Sequence, residues 1–224
     1  MTVQGVFFDW GHTLFDTAGS IDFVLEWSSE RGVVLDRDQV ANAWERARRQ
    51  SRTAEEIAFG RDKDAAIHRE RWTAMWHELE AMSPGVAAAL YEFETSAAGW
   101  SPYIDVREVL EALRDCGIPV VIVSDVPFDL RPIFAHYGLA DLIHTFVLSG
   151  EHGTIKPELR LFGIALEAVG LEASDVIMVG DNHINDGAAI DAGIRTILLP
   201  HASSGSPRGL DIVLRLVGAG VNRA

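Results

Sequence analysis

The chain has 224 residues, 48% of them hydrophobic and 23% charged, the make-up of one globular domain or one domain with an insertion. Its formal net charge of −14 opposes nucleic acid, whose binding rests on neutralising phosphates with Lys and Arg, and any phosphate site must therefore be locally cationic. Cys116 is the only cysteine, which excludes a disulfide framework and a cysteine metal site, and no apolar run approaches the roughly 18 residues of a membrane span. No basic stretch precedes an apolar one at the N-terminus, so the expected location is the cytoplasm, with no membrane partner.

In chain order, Val3–Phe8 reads as a buried strand that ends on Asp9. From about Ser20 to Ala98 the apolar residues recur at helical spacing. Asp36 is expected to cap a helix running to about Arg52. Asp62 is expected to cap another, carrying Ala66, Ile67, Trp72, Met75, Trp76 and Leu79, and Ser83-Pro84 to open a fourth. The rhythm then changes. Helices at Val106–Cys116, Leu130–Tyr137, Glu158–Val169 and Asn185–Ala192, each followed by Gly, alternate with strands at Ile118–Val123, Thr145–Leu148, Val176–Val179 and Thr196–Leu199. Ser203–Gly209 reads as a loop and Leu210–Val217 as a last helix.

Strands separated by helices imply an α/β fold with a doubly wound parallel sheet. The expected organisation is an α/β core, residues 1–16 and 99–224, interrupted after its first strand by a helical insertion, residues 17–98, over the sheet edge that bears Asp9.

Four stations lie at strand C-terminal ends, where open α/β sheets place their ligands. They are Asp9, then Ser124 with Asp125 beside it, then Lys156 in Gly153-Thr154-Ile155-Lys156-Pro157, then Asp181 and Asp186 in Gly180-Asp181-Asn182-His183-Ile184-Asn185-Asp186. Singly, each Asp is as well explained as a turn former or helix cap. Together, several carboxylates, a hydroxyl and one of the chain's two lysines form a phosphoryl-transfer constellation. Carboxylates suit Mg²⁺, while a hydroxyl and backbone N–H groups hold phosphate oxygens.

In order and spacing these stations resemble the four motifs of the haloacid dehalogenase superfamily, and Phe7-Phe8-Asp9-Trp10-Gly11-His12-Thr13-Leu14 resembles the first of them. The helical insertion resembles the small cap of that family's subclass I. The resemblance implies that Asp9 is the nucleophile and that Asp9, the Gly11 carbonyl, Asp181 and Asp186 hold Mg²⁺. It also implies that Ser124 and Lys156 bind the transferring phosphoryl group, with Trp10, Gly11 and Asp125 beside the substrate. The implied substrate is a small phosphorylated metabolite; the sequence leaves the assembly open between a monomer and a homodimer.

The sequence departs from the family's phosphatases at Gly11, where they carry the Asp that protonates the leaving oxygen. General acid–base catalysis contributes about 10²–10⁴-fold, so weak turnover of alkyl phosphates and better turnover of acyl or aryl phosphates is expected. Several readings stay open. The acid–base group of a phosphatase lies elsewhere, with His12 the first candidate and His183 the second, and with a plain turn residue as the other reading of His12. Alternatively the protein is a dehalogenase. Asp9-Trp10-Gly11 also resembles phosphonoacetaldehyde hydrolase, for which Lys63 is the one lysine available to form a Schiff base. A catalytically silent binding protein is the remaining reading. Trp27, Trp44, Trp72 and Trp76 are expected to form the core of the helical bundle, with one or two of its arginines facing the site.

Overall fold

The computed structural model describes residues 3–200, 202 and 205–218; Ser203 and Ser204 of the expected loop lie outside them. The chain runs β1 (Gly5–Phe8), β2 (Phe15–Thr17), α1 (Ser20–Ser29), α2 (Arg37–Gln50), α3 (Ala54–Ala58), α4 (Ala65–Met75), α5 (His77–Met82) and α6 (Val86–Glu94). It continues β3 (Trp100–Pro102), α7 (Val106–Asp115), β4 (Val120–Ser124), α8 (Arg131–His136), β5 (Thr145–Leu148), α9 (Ser149–His152), α10 (Leu159–Val169), β6 (Val176–Gly180), β7 (Arg195–Leu198) and α11 (Asp211–Leu216).

Five strands form one parallel sheet in the order β5-β4-β1-β6-β7. Alternation along each strand sends successive side chains to opposite faces. Val6 and Phe8 of β1 join one apolar cluster with Val120, Ile122, Ile177 and Val179; Phe7 joins the other with Val121, Val123 and Met178. Helices cover both faces, which is why β1, β4 and β6 are buried throughout and read as continuous apolar runs. The central strand β1 lies between β4 and β6, so Asp9, Ser124 and Asp181 emerge side by side at the C-terminal edge.

Two further strands, β2 and β3, form an antiparallel ribbon pairing Phe15 with Pro102 and Thr17 with Trp100. Three-residue strands containing Asp, Ser and Pro carry no alternation signal, and the sequence pattern does not predict them. The ribbon brings together the two ends of the helical segment α1–α6. That segment packs around its own apolar cluster of Val24, Val40, Ala43, Leu79 and Leu90.

Most element ends fall within two residues of expectation, and three differ for a reason that a side chain or loop supplies. Asp36 caps α2 as predicted, accepting from the Gln39 N–H at 3.0 Å. The cap of α4 is Asp64, which accepts from Ala66 and Ile67 at 2.8 and 2.9 Å; Asp62 lies instead in a 3₁₀ turn, Arg61–Lys63. α6 starts after Gly85, at φ 92°, and the Glu80 carboxylate rather than the expected Ser83 cap takes the N–H groups of Gly85 and Ala87. Asn185–Ala192 is a 3₁₀ helix over Gly187–Ala192 only, because the preceding residues are held in a loop by Asp186. No described helix is long and apolar enough to cross a membrane.

Phe7 has no exposed surface and is central to one sheet face. Phe7→Ala is expected to cost about 3–5 kcal/mol, by lost transfer energy and the cavity left behind, measured by urea unfolding. A loss below about 1 kcal/mol would place Phe7 outside the tightly packed core.

Candidate active site

Asp9 follows β1, and its N–H continues the ladder by donating to the Val179 carbonyl at 2.9 Å. Asp9 Oδ1 accepts from Lys156 Nζ at 2.8 Å and from Ser124 Oγ at 3.2 Å, while Oδ2 has only the Thr13 hydroxyl, at 3.5 Å. Lys156 Nζ also donates to Asp186 Oδ1 at 2.6 Å. The other oxygen of Asp186 accepts the N–H groups of Asp181 and Asn182 at 3.0 and 2.9 Å. Asp186 therefore closes its own loop and holds Lys156; it makes no side-chain cap to the helix that follows. Gly180 is required by this closure, since a Cβ there would lie 2.1 Å from Asp186 Oδ2.

Asp125 holds the next layer. Its Oδ1 accepts from the Lys156 N–H at 2.8 Å and its Oδ2 from Asn185 Nδ2 at 3.1 Å, so it ties the β4, Lys156 and Asp186 loops together. The turn at His12 leaves the backbone N–H groups of Trp10 and Gly11 without a partner among the described residues, which is the condition for an anion-binding nest.

One carboxylate oxygen each from Asp9, Asp181 and Asp186 lies within 4.8 Å of the others. The Asp181 carboxylate makes no hydrogen bond among the described residues. Hard oxygen donors at this spacing fit Mg²⁺, which takes one or two carboxylates and keeps substrate phosphate and water in its shell.

The electrostatics follow from burial. Burial pushes the Asp9 carboxyl up to about 7 against the pull of Lys156, with Asp186 and Asp181 adding to the rise. Asp125 is raised to about 6 by burial, again against Lys156. For Lys156 burial favours the neutral amine, but Asp186, Asp9 and Asp125 outweigh it and hold the ammonium. A cation among these carboxylates reverses the sign of the field that Asp9 feels.

Above the sheet edge lies a cavity of about 270 Å³. The core contributes Asp9, Trp10, Gly11, His12, Ser124, Asp125, Lys156, Asp181 and Asp186, and the helical segment contributes Arg48, Arg61, Asp62, His68, Trp72, Trp76 and Glu94. Every predicted core station is thus in one place. Lys63 and His183 are not: Lys63 Nζ pairs with Glu158 at 2.6 Å outside the cavity, and His183 is exposed in its loop. A Schiff-base lysine has to reach the substrate cavity, and Lys63 is not among the residues that line it.

His12 sits at φ 57°, a left-handed conformation that costs a non-glycine residue about 1–2 kcal/mol. Its ring bridges two elements, with Nδ1 3.0 Å from Asp16 Oδ1 and Nε2 2.7 Å from Arg48 Nη2. Since a guanidinium only donates, Nε2 is the acceptor and the ring N–H is directed at Asp16. Arg208, buried in the region expected to be a plain loop, donates to the His12 carbonyl at 2.8 Å. The Gly11 position faces the Trp100 ring, which a Cβ would meet at 3.6 Å and which packs on Trp10 at a tilt of 41°, 4.0 Å between centroids. Of the bundle tryptophans, Trp76 is fully buried, Trp27, Trp44 and Trp72 are partly so, and Trp72 and Trp76 also line the cavity. Sequence reasoning had no signal for Asp62, His68 or Glu94, which reach the site only through the packing of the helical segment.

A family model of haloacid dehalogenase-like hydrolases matches residues 3–193, and the chain belongs to that family of hydrolases. Among relatives, it is 29% identical to a ribulose-1,5-bisphosphate 5-phosphatase of Halopiger xanaduensis, over 86% of this chain and 83% of that protein. It is 28% identical to a phosphoglycolate phosphatase of Pectobacterium atrosepticum over 48% of this chain and 46% of that protein. Its fold is shared by an L-2-haloacid dehalogenase from Xanthobacter autotrophicus, with a TM-score of 0.69 at 20% identity over 99% of this chain and 85% of the other. A HAD phosphatase from Thermococcus onnurineus gives 0.66 at 20% identity, over 98% and 99% of the two chains.

His68 gives this site a pH signature. Its Nε2 accepts from Trp72 Nε1 at 3.0 Å, and burial, helped by Arg61, pulls its pKa from 6.5 to about 3. The folded pKa is the lower one, so stability is full above the unfolded pKa and falls as pH drops through this window, by up to about 1.4 kcal/mol per pH unit. His68→Gln should show a shallower loss than wild type between about pH 7 and about pH 4.5 in denaturant unfolding. Parallel losses would show that His68 is charged in the folded state.

Proposed function

We propose that the protein is a Mg²⁺-dependent phosphatase of small phosphorylated metabolites that works through an aspartyl-phosphate on Asp9. The observation that carries this reading is the Asp9–Lys156–Asp186 arrangement, with Asp181 beside it, at the edge of a parallel sheet. Asp9 has one oxygen fixed by Lys156 and Ser124, and that fixes the plane of the carboxylate for in-line attack on phosphorus. Ser124 and the ammonium of Lys156 bind the transferring phosphoryl oxygens, helped by the N–H groups of Trp10 and Gly11.

Asp9, Asp181 and Asp186, with the Gly11 carbonyl, are the proposed Mg²⁺ ligands, and the ion supplies the positive charge that lets a phosphate approach three carboxylates. Carboxylates at Asp181 and Asp186 favour a metal-dependent phosphatase over a dehalogenase. Residues 1–16 and 99–224 are the proposed catalytic core. Residues 17–98 are the proposed cap, which closes over the substrate and sets its specificity through Arg48, Arg61, Trp72 and Trp76. The names of the two phosphatase relatives recommend ribulose bisphosphate and phosphoglycolate as first compounds on a substrate panel.

On a panel of phosphate esters, wild type should release phosphate only with Mg²⁺, and Asp9→Asn should lose more than about 10³-fold in turnover, as removal of a nucleophile does. Full Mg²⁺-dependent activity in Asp9→Asn would overturn the assignment. Mg²⁺ binding should also release protons near neutral pH, because Asp9 holds its proton up to about 7. Calorimetry in buffers of different ionisation enthalpy measures that release, and an identical heat in all buffers would contradict it.

A further inference from the structure

We propose that Asp62, carried by the 3₁₀ turn Arg61–Lys63 of the helical segment, is the general acid and base of the reaction, in place of a side chain at position 11. This rests on the reading of Asp9 as phosphoryl acceptor. The leaving oxygen of an alkyl phosphate needs a proton, and Gly11 has none to give. A Cβ at position 11 would only pack against the Trp100 indole, at 3.6 Å.

Of the other titratable cavity groups, Asp181 is a proposed metal ligand, and the rest are engaged through at least one polar atom. Both oxygens of Asp125 and both of Asp186 accept hydrogen bonds from the site loops, and Lys156 is shared between Asp9 and Asp186. The His12 Nε2 faces Arg48, and the His68 Nε2 accepts from Trp72. Glu94 is drawn back into the helical segment by Ser20 and Trp44, which donate to its Oε1 at 2.8 and 2.9 Å.

Asp62 is placed differently. Its turn is pinned to the core from its C-terminal side: its carbonyl accepts from the Ser149 hydroxyl, and Lys63 pairs with Glu158 at 2.6 Å. Asp62 lines the cavity that holds Asp9 and Lys156. Oδ1 accepts from Arg61 Nε at 3.0 Å, and Oδ2 has no hydrogen-bond partner among the described residues. The charged and titratable groups around it are Arg61, His68 at 3.8 Å and, across the cavity, Asp125, whose carboxyl feels the Asp62 charge. Burial raises the Asp62 carboxyl above the usual range, against Arg61, which favours the protonated form an acid needs.

In the first step an Asp9 oxygen bonds to phosphorus, the bond from phosphorus to the leaving oxygen breaks, and that oxygen takes the Asp62 proton to leave as an alcohol. In the second, Asp62 carboxylate takes a proton from water as the water oxygen bonds to phosphorus. Asp9 carboxylate and inorganic phosphate are released, and Asp62 is protonated again.

The test compares glycerol phosphate with p-nitrophenyl phosphate, whose leaving group needs no acid, on Mg²⁺-loaded wild type, Asp62→Asn, Asp62→Glu and Glu94→Gln. Asp62→Asn should lower kcat/KM for glycerol phosphate by about 10²–10⁴-fold and that for p-nitrophenyl phosphate by far less. It should also accumulate phosphoenzyme in rapid quench with the aryl substrate, because the second step has lost its base. Asp62→Glu, which keeps the carboxyl, should recover part of the alkyl activity and serves as the readout should the Asn variant not fold. An equal loss on both substrates would mean a structural role and overturn the proposal, as would no loss. A selective alkyl defect in Glu94→Gln instead would move the role to Glu94. Phosphate release by wild type with no phosphoenzyme under any condition would instead overturn the Asp9 reading.

Discussion

The Lys156 ammonium, held between Asp9 at 2.8 Å and Asp186 at 2.6 Å, is the contact on which the rest of the site depends. Three carboxylates at one sheet edge repel one another, and the burial of Asp9 and Asp186 makes that repulsion stronger. A single buried cation lets them share the space, and removing one partner of such a cluster leaves uncompensated charge, at a cost of about 3–5 kcal/mol. The fold is arranged around this pairing. β1 and β6 are neighbours so that Asp9 and the Asp186 loop meet, and Gly180 leaves room for the Asp186 carboxylate to turn back under that loop.

The same loop that bears Lys156 couples the core to the helical segment. Glu158 accepts from Thr154 at 2.8 Å and from Lys63 at 2.6 Å, while Asp125 accepts the Lys156 N–H. Movement of the Arg61–Lys63 turn is therefore felt two residues from Lys156. On the opposite rim, His12 joins Asp16 of β2 to Arg48 of α2, so the ribbon and the helices are tied there as well. A surface pair such as Lys63–Glu158 contributes little stability, about 0–1 kcal/mol, and its value is in registering one element against another.

Much of this was legible in the chain itself. Glycines after helices and apolar runs of four or five residues locate the parallel sheet, and a carboxylate, hydroxyl or lysine just past each run locates the site. What escapes such reading has a common cause. β2 and β3 are too short to show a period, and Asp64 outcompetes Asp62 as a cap because its extended backbone points the carboxylate at the next two N–H groups. Arg208 and Asp105 meet across a hundred residues, where Asp105 accepts the N–H groups of Arg208, Gly209 and Leu210. Those contacts come from tertiary packing, which local pattern does not encode. Asp62 and Glu94 fall in the same class: nothing in Phe59-Gly60-Arg61-Asp62-Lys63 distinguishes a cavity carboxylate from a solvated one.

The central claim is that Asp9 carries the phosphoryl group. Quenching wild-type protein in acid during turnover of a labelled phosphate ester, reducing the acyl phosphate with borohydride and mapping the modified peptide by mass spectrometry tests it directly. The account predicts reduction at residue 9, converting Asp9 to homoserine and absent in Asp9→Asn. Modification mapped to any other carboxylate, with turnover intact in Asp9→Asn, would contradict it.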